Sequence, residues 1–181
     1  MAKMGRNVAG VALALLLAAV PVWAEEPQAQ WVQASAPSAL PPLSLLDLEG
    51  QEQAALPAAP SVLLHFWATW CGPCVEELPA LDQLAADLAP QGIIVVAVSE
   101  DRGGAEDVRP FLAHHAPLSH LILRLDPKRA AARALHLSSL PVSILLNAQG
   151  EEVARLVGNG DWRVGAGSDR ARLLALLSLS R

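Results

Sequence analysis

Cysteine is nearly absent: the 181-residue chain carries only Cys71 and Cys74. Two thiols fill half of the roughly four positions that a structural zinc site needs. His114, His115, His120 and His136 show no ligand spacing with them, so no metal and no cofactor is expected. Positive charge is also scarce, with 13 Lys and Arg against 18 Asp and Glu, a net charge of −5. Such a chain has no electrostatic footprint for nucleic acid or anionic lipid. Long apolar runs are missing too: the N-terminal stretch Val8 to Val20 falls short of the ~20 residues of a membrane span. No cysteine follows that stretch, which excludes a lipoprotein, and no internal repeat is present.

The N-terminal stretch has a different reading. Lys3 and Arg6 precede the Ala- and Leu-rich run, and Pro21-Val22-Trp23-Ala24 closes it. This is the pattern of a secretory signal, residues 1–24, cleaved between Ala24 and Glu25; the alternative is an uncleaved membrane anchor. Export places the protein in the periplasm. Cleavage leaves 157 residues, enough for one domain, with 11 basic against 18 acidic residues and a net charge of −7. Residues 25–42, rich in Ala, Pro, Gln and Ser, read as a flexible tether, and 43–181 as the domain.

What is present is concentrated in Trp70-Cys71-Gly72-Pro73-Cys74, directly behind the apolar run Ser61 to Ala68. A strand running into a Cys-x-x-Cys that opens a helix suits dithiol chemistry. The strand fixes the first cysteine at an edge, and the helix N-terminus stabilises its thiolate. A bridge across two intervening residues closes a tiny loop, whose entropic contribution to stability is among the smallest available. A redox role explains the pair better than a structural one.

Beyond Cys74, the residues Leu78, Leu81, Ala85 and Leu88 share a helical stripe with it, and Pro79 should kink that helix near its start. Ile93 to Val98 is a β-branched run of the kind buried on both faces of a parallel sheet. Leu43 to Leu48 and a return after Gly50 form an N-terminal hairpin. A helix over Ala105 to His115, a strand over Leu121 to Leu125 and a short helix to Leu135 follow. Val142 to Leu146 and Glu152 to Val157 pair as a hairpin, and Arg170 to Leu179 is a closing helix. The sum is an α/β sandwich: helices flank a mixed central sheet that is parallel at its centre and antiparallel at one edge.

Phe66 to Cys74 resembles the active-site segment of the thioredoxin superfamily, and Glu77-Leu78-Pro79 with the leader resembles its exported TlpA-like branch (the TlpA, ResA and CcmG type). The resemblance spans Leu43 to Leu179 and implies a thioredoxin-like sandwich with an N-terminal β-hairpin extension. It implies Cys71 as nucleophile, Cys74 as resolving thiol, and Pro141 as a cis-proline facing the disulfide. A substrate backbone would pair at Leu140, with Trp70, Gly72 and Pro73 beside it. The branch more often has a hydroxyl-bearing residue before this proline, where Leu140 stands here.

Glu77 matches the acid of that branch, and is either the proton acceptor for Cys74 or a solvated first-turn acid. His65 sits where thioredoxins resemble one another in a buried acid. It is either a neutral core histidine or a proton relay to Cys74 that would favour the thiolate when charged. Trp67 is expected to pack inside and Trp70 to cover the site. The implied activity is a periplasmic disulfide reductase of exported proteins such as apocytochrome c. It would be a monomer, kept reduced by a membrane thiol reductant of the DsbD/CcdA type. A disulfide-forming oxidase and a copper-binding chaperone using the same cysteines are the alternatives.

Overall fold

A computed structural model describes residues 29–179 apart from 54, 55, 58 and 116. The expected signal segment lies outside these residues. The strands are β1 (Gln30–Ala39), β2 (Leu45–Leu46), β3 (Glu52–Gln53), β4 (Ser61–Trp67), β5 (Ile93–Ser99), β6 (Ile122–Leu125), β7 (Val142–Leu146) and β8 (Glu151–Val157). The helices are α1 (Gly72–Leu88), α2 (Ala105–His114), α3 (Ala130–Ala134) and α4 (Asp169–Leu179).

The two continuous apolar runs occupy the centre of the sheet, β4 and β5, which pair in parallel from Ser61↔Ile93 to Trp67↔Ser99. All seven residues of β4 are buried. A strand covered on both faces needs no polar alternation. Its even-numbered side chains, Val62, Leu64 and Phe66, enter one core with Val96, Val98 and Ile144. Leu63 and Trp67 enter the other, with Cys74, Leu78 and Leu81 of α1. His65 alternates with that second set and so faces α1. The parallel partners β4 and β5 require a crossover, and α1 supplies it.

Strand order across the sheet is β1-β8-β7-β4-β5-β6-β2-β3. The expected α/β sandwich and the N-terminal hairpin are both present. The sheet is antiparallel at both margins, however, not at one. Beyond the parallel β4-β5-β6 core, β7, β8 and β1 run antiparallel on one side and β2-β3 on the other. The expected tether needs a larger correction. Residues 30–39 form an edge strand on β8, with register shifts between Gln33 and Ser38. The Ala, Ser and Gln content reads as linker, but a half-covered edge strand needs few large side chains once β8 offers its hydrogen-bonding groups. Helix α1 runs through Pro79, whose ring stands on the exposed side.

The contrast between centre and edge is measurable. Leu64→Ala, in a fully buried position, should lower unfolding free energy by about 2–5 kcal/mol. Val32→Ala on β1, where the side chain is 53% exposed, should cost less than about 0.5 kcal/mol. Urea unfolding of the two variants checks both values.

Candidate active site

The link from β4 to α1 is held by a buried carboxylate. Asp101, just past β5, accepts the Thr69 N–H at 2.9 Å, the Thr69 hydroxyl at 2.7 Å and the Ser99 hydroxyl at 2.8 Å. Cys71 N–H donates to the Ala68 carbonyl at 3.1 Å, and Cys71 is the extended N-cap residue of α1. Pro73 lies in the first helical turn, where a missing N–H costs nothing. The Cys71 sulfur therefore sits where the helix dipole is positive.

Cys71 and Cys74 are joined in a disulfide, with Cα atoms 5.3 Å apart. Cys71 is 7% exposed and Cys74 is fully buried, so an incoming sulfur meets Cys71 first. Gly72 and Pro73 are exposed, Trp67 is buried against Phe111, and Trp70 is 69% exposed at the mouth of the site. The Leu140–Pro141 peptide is cis. Leu140 and Trp70 line one cavity of about 500 Å³ with Ser139, Arg102, Arg129 and Glu100. Arg129 Nε donates to Glu100 Oε2 at 2.5 Å. Trp70, next to the Cys motif, and Leu140, next to the cis-proline, thus border the same cavity.

One helical turn past Cys74, Glu77 is 4% exposed. It is not a solvated first-turn acid. Its Oε2 accepts the N–H of Gly160 at 2.9 Å and the indole N–H of Trp162. Its Oε1 lies 3.6 Å from His65 Nε2, and neither atom has a hydrogen-bond partner. His65 Nδ1 is 2.9 Å from the Ser143 hydroxyl, directly across the β4–β7 ladder.

Burial pushes the Glu77 carboxyl up from 4.5 to about 8, the two hydrogen bonds to Oε2 opposing it. Burial also pushes the His65 imidazole down from 6.5 to about 3. At neutral pH the contact is therefore a carboxylic acid beside a neutral imidazole rather than an ion pair. Of the two readings of His65, its complete burial and single hydrogen bond agree with the neutral core histidine.

Glu77, His65 and Cys74 lie on the α1 side of the sheet, and Trp70 and Leu140 line one cavity. The other histidines lie apart. His114 and His115 contact carbonyls of their own helix, and His120 contacts Asp82 at 3.0 Å. Sequence reasoning left Trp162, Gly160, Ser143 and Asp101 without roles. Two of these residues lie in the run Gly158-Asn159-Gly160-Asp161-Trp162, and the proximity of Gly160 to Trp162 is visible only in the folded chain. A Cβ on Gly160 would stand 2.7 Å from the Trp162 ring and 2.8 Å from Leu156.

These proton affinities make stability depend on pH. Between pH 4.5 and 8 the folded chain holds an extra proton on Glu77, so stability falls as pH rises. Between pH 3 and 6.5 it holds fewer protons at His65, so stability rises with pH. The two slopes oppose each other from 4.5 to 6.5 and leave a net fall from 6.5 to 8. Glu77→Gln, which keeps the acceptor for Gly160 and Trp162, should remove that fall, as read from urea midpoints at pH 6.5 and 8.

Among known proteins, residues 37–154 match the family model described as AhpC/TSA family. The chain is 29% identical over 116 residues to thiol-disulfide oxidoreductase ResA of Bacillus subtilis, covering 64% of this chain and 58% of that one. It is 33% identical over 112 residues to the thioredoxin-like protein YneN of the same organism, covering 61% and 64%. The matched region thus spans about three fifths of each of these curated relatives. A solved structure described as a thiol:disulfide interchange protein DsbE from Chlorobium tepidum superposes with a TM-score of 0.65 at 26% identity, over 80% of this chain and 96% of that one. With its cysteine pair on the strand-to-helix junction and its cis-proline loop alongside, this chain belongs to the AhpC/TSA family, on a thioredoxin-like fold.

Proposed function

We propose that the protein is a thiol–disulfide oxidoreductase that works as a disulfide reductase of exported proteins in the periplasm. The observation that carries this reading is the buried acid, Glu77, one helical turn from the enclosed sulfur of a disulfide whose other cysteine, Cys71, keeps 7% exposure. Names of the relatives, thiol-disulfide oxidoreductase and thiol:disulfide interchange protein, point the same way.

In the reduced protein, the Cys71 thiolate attacks one sulfur of a substrate disulfide. A mixed disulfide forms, and the other substrate sulfur leaves as a thiolate. The substrate backbone lies in the groove bounded by Trp70 and Leu140, pairing with Leu140 as an added strand over Gly72, Pro73 and Pro141. Glu77, as carboxylate, takes the proton from the Cys74 thiol, and Cys74 attacks Cys71. The second substrate thiolate departs, and the Cys71–Cys74 disulfide is left with Glu77 protonated. The carboxyl near pH 8 suits this exchange, since it both holds and releases a proton close to neutral pH. His65, neutral and facing Glu77 Oε1, relays that proton. A membrane thiol reductant of the DsbD/CcdA type then returns two electrons, its own dithiol becoming a disulfide. The dipeptide Gly72-Pro73 favours a reducing poise.

A redox titration is the direct test. A reductase should equilibrate near the −270 mV typical of thioredoxin; a value near about −120 mV would make the protein an oxidase instead. Cys74→Ser should accumulate mixed disulfides through Cys71, and identifying the trapped partners names the substrate. An apocytochrome among them would give the specific maturation role. His65→Asn should change the pH dependence of mixed-disulfide resolution, and an unaltered profile removes His65 from the relay.

A further inference from the structure

The N-terminal edge strand carries a residue that reaches the acid through one intermediary. Trp31 on β1 meets Trp162 edge to face, ring centroids 6.4 Å apart and planes at 82°. Trp162 is 1% exposed, and its indole N–H donates to Glu77 Oε2. The Trp31 indole N–H is committed to Asp169 Oδ1 at 2.7 Å, and Asp169 Oδ2 accepts the Asp161 N–H at 2.8 Å. One carboxylate at the start of α4 therefore ties the edge strand to the loop that holds Glu77.

Sheet register explains why this strand can do so. Trp31 pairs with Leu156, Leu156 with Ser143, and Ser143 with His65. Directly paired residues project from the same face, so Trp31 stands in the same row as His65, on the side occupied by α1 and Glu77. His65 closes Glu77 from the sheet, and Trp162 with Trp31 behind it closes it from the edge.

We propose that Trp31 is a positioning residue for Glu77, seating the Trp162 indole on the carboxyl and keeping water from that side of it. The proposal rests on the reading that Glu77 exchanges a proton with Cys74. The ring of Trp162 lies close over Gly160, where an added Cβ would stand 2.7 Å from it, so the loop leaves it little room on that side. Its outer side is where Trp31 lies. The remaining access to Glu77 is a cavity of about 330 Å³ lined by Ala80, Asn159 and Arg163, the route by which the acid reaches solvent protons.

Several charged groups surround Glu77. His65 faces it from β4, and Asp169 acts on it from the first turn of α4, raising its proton affinity. Glu76, Asp161 and Arg163 border the cavity, the last two paired at 2.8 Å. Burial is the leading cause of the high proton affinity of Glu77. Hydration through a gap left by Trp31 should lower it, and this effect should outweigh the loss of the Trp162 hydrogen bond, which acts in the opposite direction.

The test is the reduction potential of the purified chain as a function of pH from 6 to 9, in thiol–disulfide buffers. The unaltered protein should show a bend near pH 8 where Glu77 titrates, and Glu77→Gln should abolish it. Trp31→Ala should move the bend toward acid by about 1 pH unit, whereas Trp31→Phe, which keeps a ring against Trp162, should hold it within a few tenths. Trp31→Leu serves as the second truncation should the alanine variant not fold. Val32→Ser, an exposed neighbour on the same strand, should leave the bend in place. A Trp31 truncation that lowers the melting temperature but leaves the bend unmoved overturns the proposal and reduces Trp31 to packing. A bend that survives Glu77→Gln is a different failure: it removes Glu77 from the proton exchange, and Trp31's role with it.

Discussion

A carboxyl group shut away from water must be neutral, paired or both, and at Glu77 the fold arranges all that surrounds the disulfide around this requirement. Three separate segments converge on it. Helix α1 carries it one turn past Cys74, β4 brings His65 to 3.6 Å of one oxygen, and the loop after β8 gives two N–H donors to the other. Because two donors already occupy Oε2, the proton belongs on Oε1, the oxygen that faces the imidazole.

The cysteines depend on a different carboxylate for their placement. Asp101 makes three hydrogen bonds to Thr69 and Ser99 and thereby fixes the link between strand and helix. One buried acid thus sets the position of Cys71, and the other lies one helical turn past Cys74. Asp101 has donors on both oxygens, while Glu77 keeps Oε1 without a hydrogen-bond partner.

Much of the architecture could be read before the fold was seen. Val62 to Trp67, broken only by His65, and Ile93 to Val98 are apolar runs, and such runs belong at the centre of a sheet covered on both faces. The helical stripe from Cys74 to Leu88 is buried as its spacing requires. Edge elements were less legible. Gln30 to Ala39 carries the composition of a linker, yet pairs with β8, because an edge strand is selected by its neighbour's free hydrogen-bonding groups rather than by its own side chains. The second antiparallel margin escaped notice for the same reason: β2 and β3 are two residues each.

From the sequence alone came the identity of the reacting atoms, since only one pair of thiols exists and its spacing behind a strand admits few uses. It also supplied the likeness that made Glu77 and Pro141 candidates. Whether Glu77 is solvated or buried, whether His65 carries charge, and what stands against either of them were decided by tertiary structure. Those properties depend on water exclusion and on contacts between residues 83 and 85 positions apart, from Glu77 to Gly160 and Trp162. No local pattern encodes a dielectric environment; it exists only once β4, α1, the loop after β8 and the edge strand are packed together.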